Sequence, residues 1–102
     1  MVTLNYIAGF FDGEGCITHR RPKAGGRAYR KVSMSQKDPE VLEAIQTYLG
    51  YGRLRQRKYP GSGGVWVLHI DNRHNIRDFL TRISPHLIVK REKAMEVLDD
   101  YV

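Results

Sequence analysis

Apolar positions in this chain switch repeatedly between two periods. Leu4, Ile7, Ala8 and Phe11 recur at helical spacing, so residues 3–13 predict a helix, capped by Thr3 and ended by the glycines around Glu14. "CITHRR" and "AYRKVSMSQ" are rich in β-branched and aromatic residues and predict two strands. The glycines of "PKAGGR" suit a hairpin loop between them. "DPEVLEAIQTYLG" predicts a second helix, with Asp38 as cap, Pro39 in the first position and Gly50 as stop. Its buried stripe is Val41, Leu42, Ile45, Tyr48 and Leu49. "YGRLRQRKY" and "GVWVLHI" predict two more strands. "NRHNIRDFLTRI" returns to helical period through Ile76, Phe79, Leu80 and Ile83 until Pro85 breaks it. "VKREKAMEVLDDYV" predicts a last helix with Ala94, Val97, Leu98 and Tyr101 on its apolar side. The order α-β-β-α-β-β-α-α implies an α+β fold: a four-stranded antiparallel sheet with helices on one face. With 102 residues, a single domain over 1–102 is expected.

Strand alternation then sorts the polar side chains. Successive residues point to opposite faces of a sheet. Arg53, Arg55 and Arg57 share one face, while Leu54 points the other way. Tyr29, Lys31, Ser33 and Ser35 oppose Val32 and Met34. Val65, Val67 and His69 oppose Trp66, Leu68 and Ile70. Ile17 belongs to the core, and Thr18 and Arg20 do not. One face is therefore expected to carry arginine, lysine, serine and tyrosine, with Lys23 and Arg27 in the hairpin loop beside it. Three like charges at alternate positions repel on a bare strand. A β-ribbon of this kind suits the major groove of DNA, where arginine donates in pairs to guanine.

Charge sharpens this picture. Seventeen Lys and Arg oppose eleven Asp and Glu, for a net +6. Residues 1–18, 19–58, 59–70 and 71–102 carry −2, +8, 0 and 0. The excess sits in one block, which points to a polyanion partner, with double-stranded DNA first among candidates. A lone cysteine, Cys16, excludes an internal disulfide and is expected as a small buried side chain. His19, His69, His74 and His86 lack metal-ligand spacing, so zinc is not expected. No apolar run approaches the roughly 20 residues of a membrane span. No signal pattern opens the chain, and a soluble protein of a reducing, intracellular compartment is expected.

The stretch "IAGFFDGEG", Ile7 to Gly15, resembles the motif of the LAGLIDADG homing endonucleases, of the single-motif, homodimeric type. "MSQKDPEVLEAIQTYLGYGRL" and "FLTRISPHLIVKREKAMEVL" are similar to the segments that follow in that family, in the same order. The resemblance implies an αββαββα unit with a curved sheet. It implies a homodimer packed through the motif helix, with Tyr6, Gly9, Phe10 and Gly13 at the interface. Glycines at i and i+4 lie on one helix face and let two helices approach closer than the usual spacing of about 8–10 Å. The resemblance further implies cleavage of both strands of a long, roughly palindromic DNA site with Mg2+. Glu14 matches the metal ligand, and the resemblance implies the Gly13 carbonyl as a second oxygen donor. Gln36 matches a residue that orients water or metal, and Lys90 one that stabilises the charged phosphate, with Arg91 as its substitute. Asp12 is expected to bond backbone near the helix end. Carboxylates at a helix C-terminus are disfavoured by its dipole, a conflict that a bound cation resolves. The alternative is a DNA- or RNA-binding protein on the same scaffold, a maturase or regulator that does not cleave.

Overall fold

A computed structural model describes residues 2–20, 29–58, 60–61 and 63–101. The expected hairpin loop, with Lys23 and Arg27, lies outside the described residues. Helix α1 (Leu4–Glu14) opens at Thr3, whose hydroxyl accepts the Tyr6 N–H at 3.2 Å. Strand β1 (Gly15–Arg20) follows with no connecting loop. Gly15 makes this possible. A Cβ there would lie 2.2 Å from the Phe11 ring and 2.6 Å from the Phe11 carbonyl oxygen. Its own N–H donates to that carbonyl, closing the helix as the chain turns into the sheet.

Strand β2 (Tyr29–Gln36) pairs antiparallel with β1, Gly15 opposite Met34 and Arg20 opposite Tyr29. Helix α2 (Pro39–Leu49) is capped by the Asp38 carboxylate, which accepts the Glu40 N–H at 2.9 Å. Gly50, at φ 81°, stops it in the left-handed conformation that glycine adopts at least cost. Strands β3 (Arg53–Arg57) and β4 (Val65–Ile70) come next. Helix α3 (Arg73–Ile83) is capped by Asn72, and Ser84–His86 make one 3-10 turn. Helix α4 (Arg91–Asp99) closes the chain. The sheet order is β1-β2-β4-β3, with every neighbouring pair antiparallel. None of the described helices is long and apolar enough to cross a membrane.

Register builds the core in rows. Ile17, Val32 and Ile70 form one row, and Gly15, Met34, Leu68 and Leu54 the next. Onto this side fall Ile7, Ala8 and Phe11 from α1, Leu42, Ile45 and Leu49 from α2, four residues of α3, and Ala94 and Val97 from α4. Phe11 meets Phe79 edge to face, 5.2 Å between ring centres. Each such large apolar side chain contributes about 1.5–3 kcal/mol by burial, so this layer holds the helices on one face. At its end α4 is tied to the sheet and to the start of α3. His19 Nε2 contacts the Asp100 carboxylate, and the Tyr101 hydroxyl donates to the Arg73 carbonyl at 3.0 Å.

Four expectations are corrected. Cys16 is exposed, not buried. It pairs with Ser33 in the register, so alternation puts it on the open face, one step out of phase with Ile17. Tyr48 is 38% exposed. The Arg82 guanidinium stacks over its ring at 5.4 Å, which replaces core burial by a surface cation–π contact. The third strand and the last helix start later than expected, at Arg53 and Arg91. Gly52 adopts a positive φ of 115° before β3, and residues before α4 are held by α1.

Candidate active site and nucleic-acid interface

Asp12 organises one end of the molecule. Its carboxylate accepts the backbone N–H of Ile88 at 2.7 Å and of Lys90 at 3.0 Å. The Lys90 ammonium returns to the same residue, donating to the Asp12 carbonyl at 2.6 Å. That carbonyl lies in the last turn of α1, where carbonyls lack helical partners and the dipole favours a cation. Burial alone would raise the Asp12 carboxyl. The Ile88, Lys90 and Val89 N–H groups and the Lys90 charge outweigh it and hold the group below its ordinary value. A depressed carboxylate stabilises the fold above its unfolded value, and that contribution disappears as pH falls through the folded one. Asp12→Ala should therefore cost about 1.5–3 kcal/mol near neutral pH. The difference from wild type should shrink below about pH 4, near the ordinary carboxylate range. Denaturant melts across pH measure this, and hydrogen exchange at Ile88 and Lys90 should accelerate in the variant.

The same end gathers the other expected site residues. Glu14 is the last residue of α1 and is exposed. Because Gly15 pairs with Met34, Glu14 and Gln36 flank the same end of the β1–β2 pair. Gln36 alternates with Ser35 toward the helix-covered side and is half-buried, and its side-chain oxygen accepts the Lys37 N–H at 2.9 Å. Lys90 reaches this end through Asp12. Glu14, Gln36 and Lys90 thus come from a helix terminus, a strand terminus and a distant turn. Among the described residues no three His, Cys, Asp or Glu side chains cluster as a metal site.

The open face of the sheet carries the remaining residues in cross-strand rows. Cys16, Ser33, His69 and Arg53 form one row, Ser35, Val67 and Arg55 another, and Thr18 stands opposite Lys31. Arg20 pairs with Tyr29 at one edge, and Val65 with Arg57 at the other. Arg20, Tyr29, Arg53, Arg55 and Arg57 are exposed, and Thr18, Lys31, Ser33 and Ser35 half-buried. His69 is only 7% exposed, because the central strand β4 is shielded by both neighbours. Burial, with Lys31, Arg53 and Arg57 around it, pushes its imidazole below the ordinary 6.5, so it is neutral at neutral pH. Its Nδ1 is buried without a hydrogen-bond partner.

A second open surface runs along α1. Tyr6, Gly9 and Gly13 are exposed and Phe10 half-buried, all on the side away from Ile7, Ala8 and Phe11. The Tyr6 and Phe10 rings lie nearly parallel, 6.5 Å apart. A Cβ added at Gly9 or Gly13 would meet nothing within 4 Å. Ile88 and Val89 adjoin the end of this helix, 85% and 74% exposed. The periodicity reading overlooked this pair, absorbing Val89 into the last helix. Its signal was two consecutive branched apolar residues just past a proline break, with no helical partner.

A family model described as "LAGLIDADG-like domain" matches residues 1–84. The chain belongs to this family. LAGLIDADG homing endonucleases are also its structural neighbours. The homing endonuclease I-CvuI, solved with the I-CreI target uncleaved in the presence of Mg, superposes with a TM-score of 0.79 at 24% identity. The match covers 94% of this chain and 63% of I-CvuI. An archaeal intron-encoded homing endonuclease complexed with DNA, I-Vdi141I, gives a TM-score of 0.70 at 30% identity, over 90% of this chain and 62% of that one. The homing endonuclease I-TnaI gives 0.74 at 24% identity, over 96% and 72%. This LAGLIDADG-like chain therefore spans less than two thirds of the first of these relatives. No curated protein matches it. The α+β architecture expected from periodicity is the architecture of these endonucleases.

Proposed function

We propose that this protein is a site-specific DNA endonuclease that acts as a homodimer with Mg2+. One observation carries the reading: the outward face of α1 is open at both glycines and ends in the exposed Glu14. Glycine inside a helix costs about 0.5–1 kcal/mol relative to alanine, and among the described residues nothing packs on Gly9 or Gly13 to offset that. A second copy of α1 packed there would. Two-fold packing would use Tyr6, Gly9, Phe10 and Gly13, and bring both Glu14 side chains together. Ile88 and Val89 beside that helix end would be covered in the same contact.

The donors fit a hard divalent cation. Glu14 and the Gly13 carbonyl offer oxygen, the ligand type Mg2+ prefers, but two donors fall short of its roughly six. A second Glu14, DNA phosphate oxygens and water would supply the others. A bound divalent cation would neutralise phosphate charge and acidify a water for hydrolysis. In that reaction water attacks phosphorus and the bond to the 3′-oxygen breaks. Lys90, fixed on α1, opposes the developing phosphate charge, and Gln36 orients the water through its amide. The sheet's open face would seat the duplex. Arg53, Arg55, Arg57, Arg20 and Lys31 would take phosphates and guanine edges, and Thr18, Tyr29, Ser33 and Ser35 other edges, while the buried His69 would stay beneath the contact surface.

Incubation with a library of duplex targets and Mg2+ tests the reading. Cleavage of both strands at one position in a long, near-palindromic sequence is expected, with no product in EDTA. If every sequence survives while metal-independent binding is tight, the protein is a DNA- or RNA-binding member of its family instead.

A further inference from the structure

The end of the sheet opposite Glu14 holds a cleft of about 720 Å³, lined by Arg30, Lys31, Arg53, Asp71, Arg73 and Tyr101 among others. Its wall and the residues just behind it are unusual in charge, with Arg77 reaching the lining ring of Tyr101 from outside the lining set. The guanidinium carbons of Arg30, Arg73 and Arg77 lie 4.5, 5.5 and 5.8 Å from the centre of the single Tyr101 ring. Arg53 takes the Asp71 carboxylate at 2.6 Å, and Asp100 is shared between His19 and Arg30. Among the described residues, Lys31, Arg73 and Arg77 have no carboxylate partner within ion-pair distance. The Arg30 Nε is buried without a hydrogen-bond partner. Three guanidiniums around one neutral ring repel each other, and aromatic stacking at exposed sites offsets that only weakly. An anion between them would turn that repulsion into attraction.

We infer that this cleft seats a backbone phosphate of the bound duplex, at the outer end of each half-site. The inference rests on the DNA-binding reading above. Continuity favours DNA over a free anion, because Tyr29, Lys31 and Arg53 belong both to the cleft and to the open face of the sheet. Strand β2 runs from the cleft at Tyr29 to the catalytic end at Gln36. At about 3.3 Å per residue that is roughly 23 Å, or the length of about seven base pairs. The cleft would then grip the backbone about seven base pairs outward from the cut on each side, beyond the bases read by the strands. Such a contact fixes position and adds affinity without sequence preference.

The double variant Arg73→Gln, Arg77→Gln tests this, since both side chains are exposed. Relief of repulsion should leave the free protein's melting temperature unchanged or raised. Affinity for duplex DNA should fall similarly for matched and mismatched targets. The slope of log K against log salt should shallow by about 2, from about 0.9 per phosphate counted in two subunits. Neutral methylphosphonates placed about seven base pairs outside the cut should weaken the wild type and leave the variant unaffected. An unchanged slope, or equal methylphosphonate effects on both proteins, overturns the inference while DNA binding by the wild type stands. If the wild type itself shows no salt-sensitive binding, the DNA reading has failed first. Inorganic phosphate at constant ionic strength should not displace the duplex. Inorganic phosphate that raises the melting temperature of the wild type alone, while the salt slope for duplex is the same for both proteins, would assign the cleft to free anions and overturn its DNA role.

Discussion

Glu14→Gln should reduce DNA cleavage by at least about a thousandfold, equivalent to about 4 kcal/mol of barrier, while the protein stays folded and bound to DNA. The substitution keeps size and polarity and removes only the charge that, in the proposed reaction, would hold a divalent ion. Glu14 is exposed at the helix terminus, so the change in fold stability should stay within about 0.5 kcal/mol. DNA affinity without metal should hold or improve, because a negative charge facing phosphates is lost. Asp12→Ala provides the contrast. It lies two residues away, yet its carboxylate is spent on the backbone of Ile88 and Lys90, so its loss should appear chiefly in stability. Single-turnover cleavage, filter binding in EDTA and denaturant melts separate the two. Cleavage by Glu14→Gln within tenfold of wild type would remove Glu14 from the catalytic centre.

The second large effect concerns assembly. Gly9→Leu should leave the isolated chain folded and strongly weaken the dimer. A Cβ at Gly9 meets nothing within 4 Å among the described residues, so a larger side chain there starts into open space. Its better helix propensity should even stabilise the monomer by about 0.5–1 kcal/mol. Across a two-fold axis the same side chain enters the contact twice. Overpacking costs about 1–3 kcal/mol per side chain, so about 2–6 kcal/mol in all, which weakens dimerisation by at least about thirtyfold. Sedimentation over a concentration series reads the dissociation constant, and cleavage should fall with the dimer. A Gly9→Leu protein that dimerises as tightly as wild type would place the interface elsewhere.

Much of this was legible from local rules. Asp38, Pro39 and Gly50 mark α2 because caps and stops act within one turn of the chain. The alternation of Val32 and Met34 with Lys31 and Ser33 separated the two sheet faces. Misplaced residues failed where a neighbour outside the local window decided. Tyr48 fits the helical stripe, yet Arg82 from another helix holds it at the surface. Cys16 has the composition of a core residue, and pairing with Ser33 turned it outward.

By itself the sequence determined the elements, their order, the basic block and the family motif, because each depends on residues a few positions apart. Tertiary structure alone decided which strands neighbour which, with β4 rather than β3 placed inside the sheet. It brought Lys90 to Asp12 across 78 positions of chain, and gathered Arg30, Arg73 and Arg77 around Tyr101. The reason is physical. Burial rewards any arrangement that hides the apolar stripes, and only the packed result says which distant polar groups then share one place.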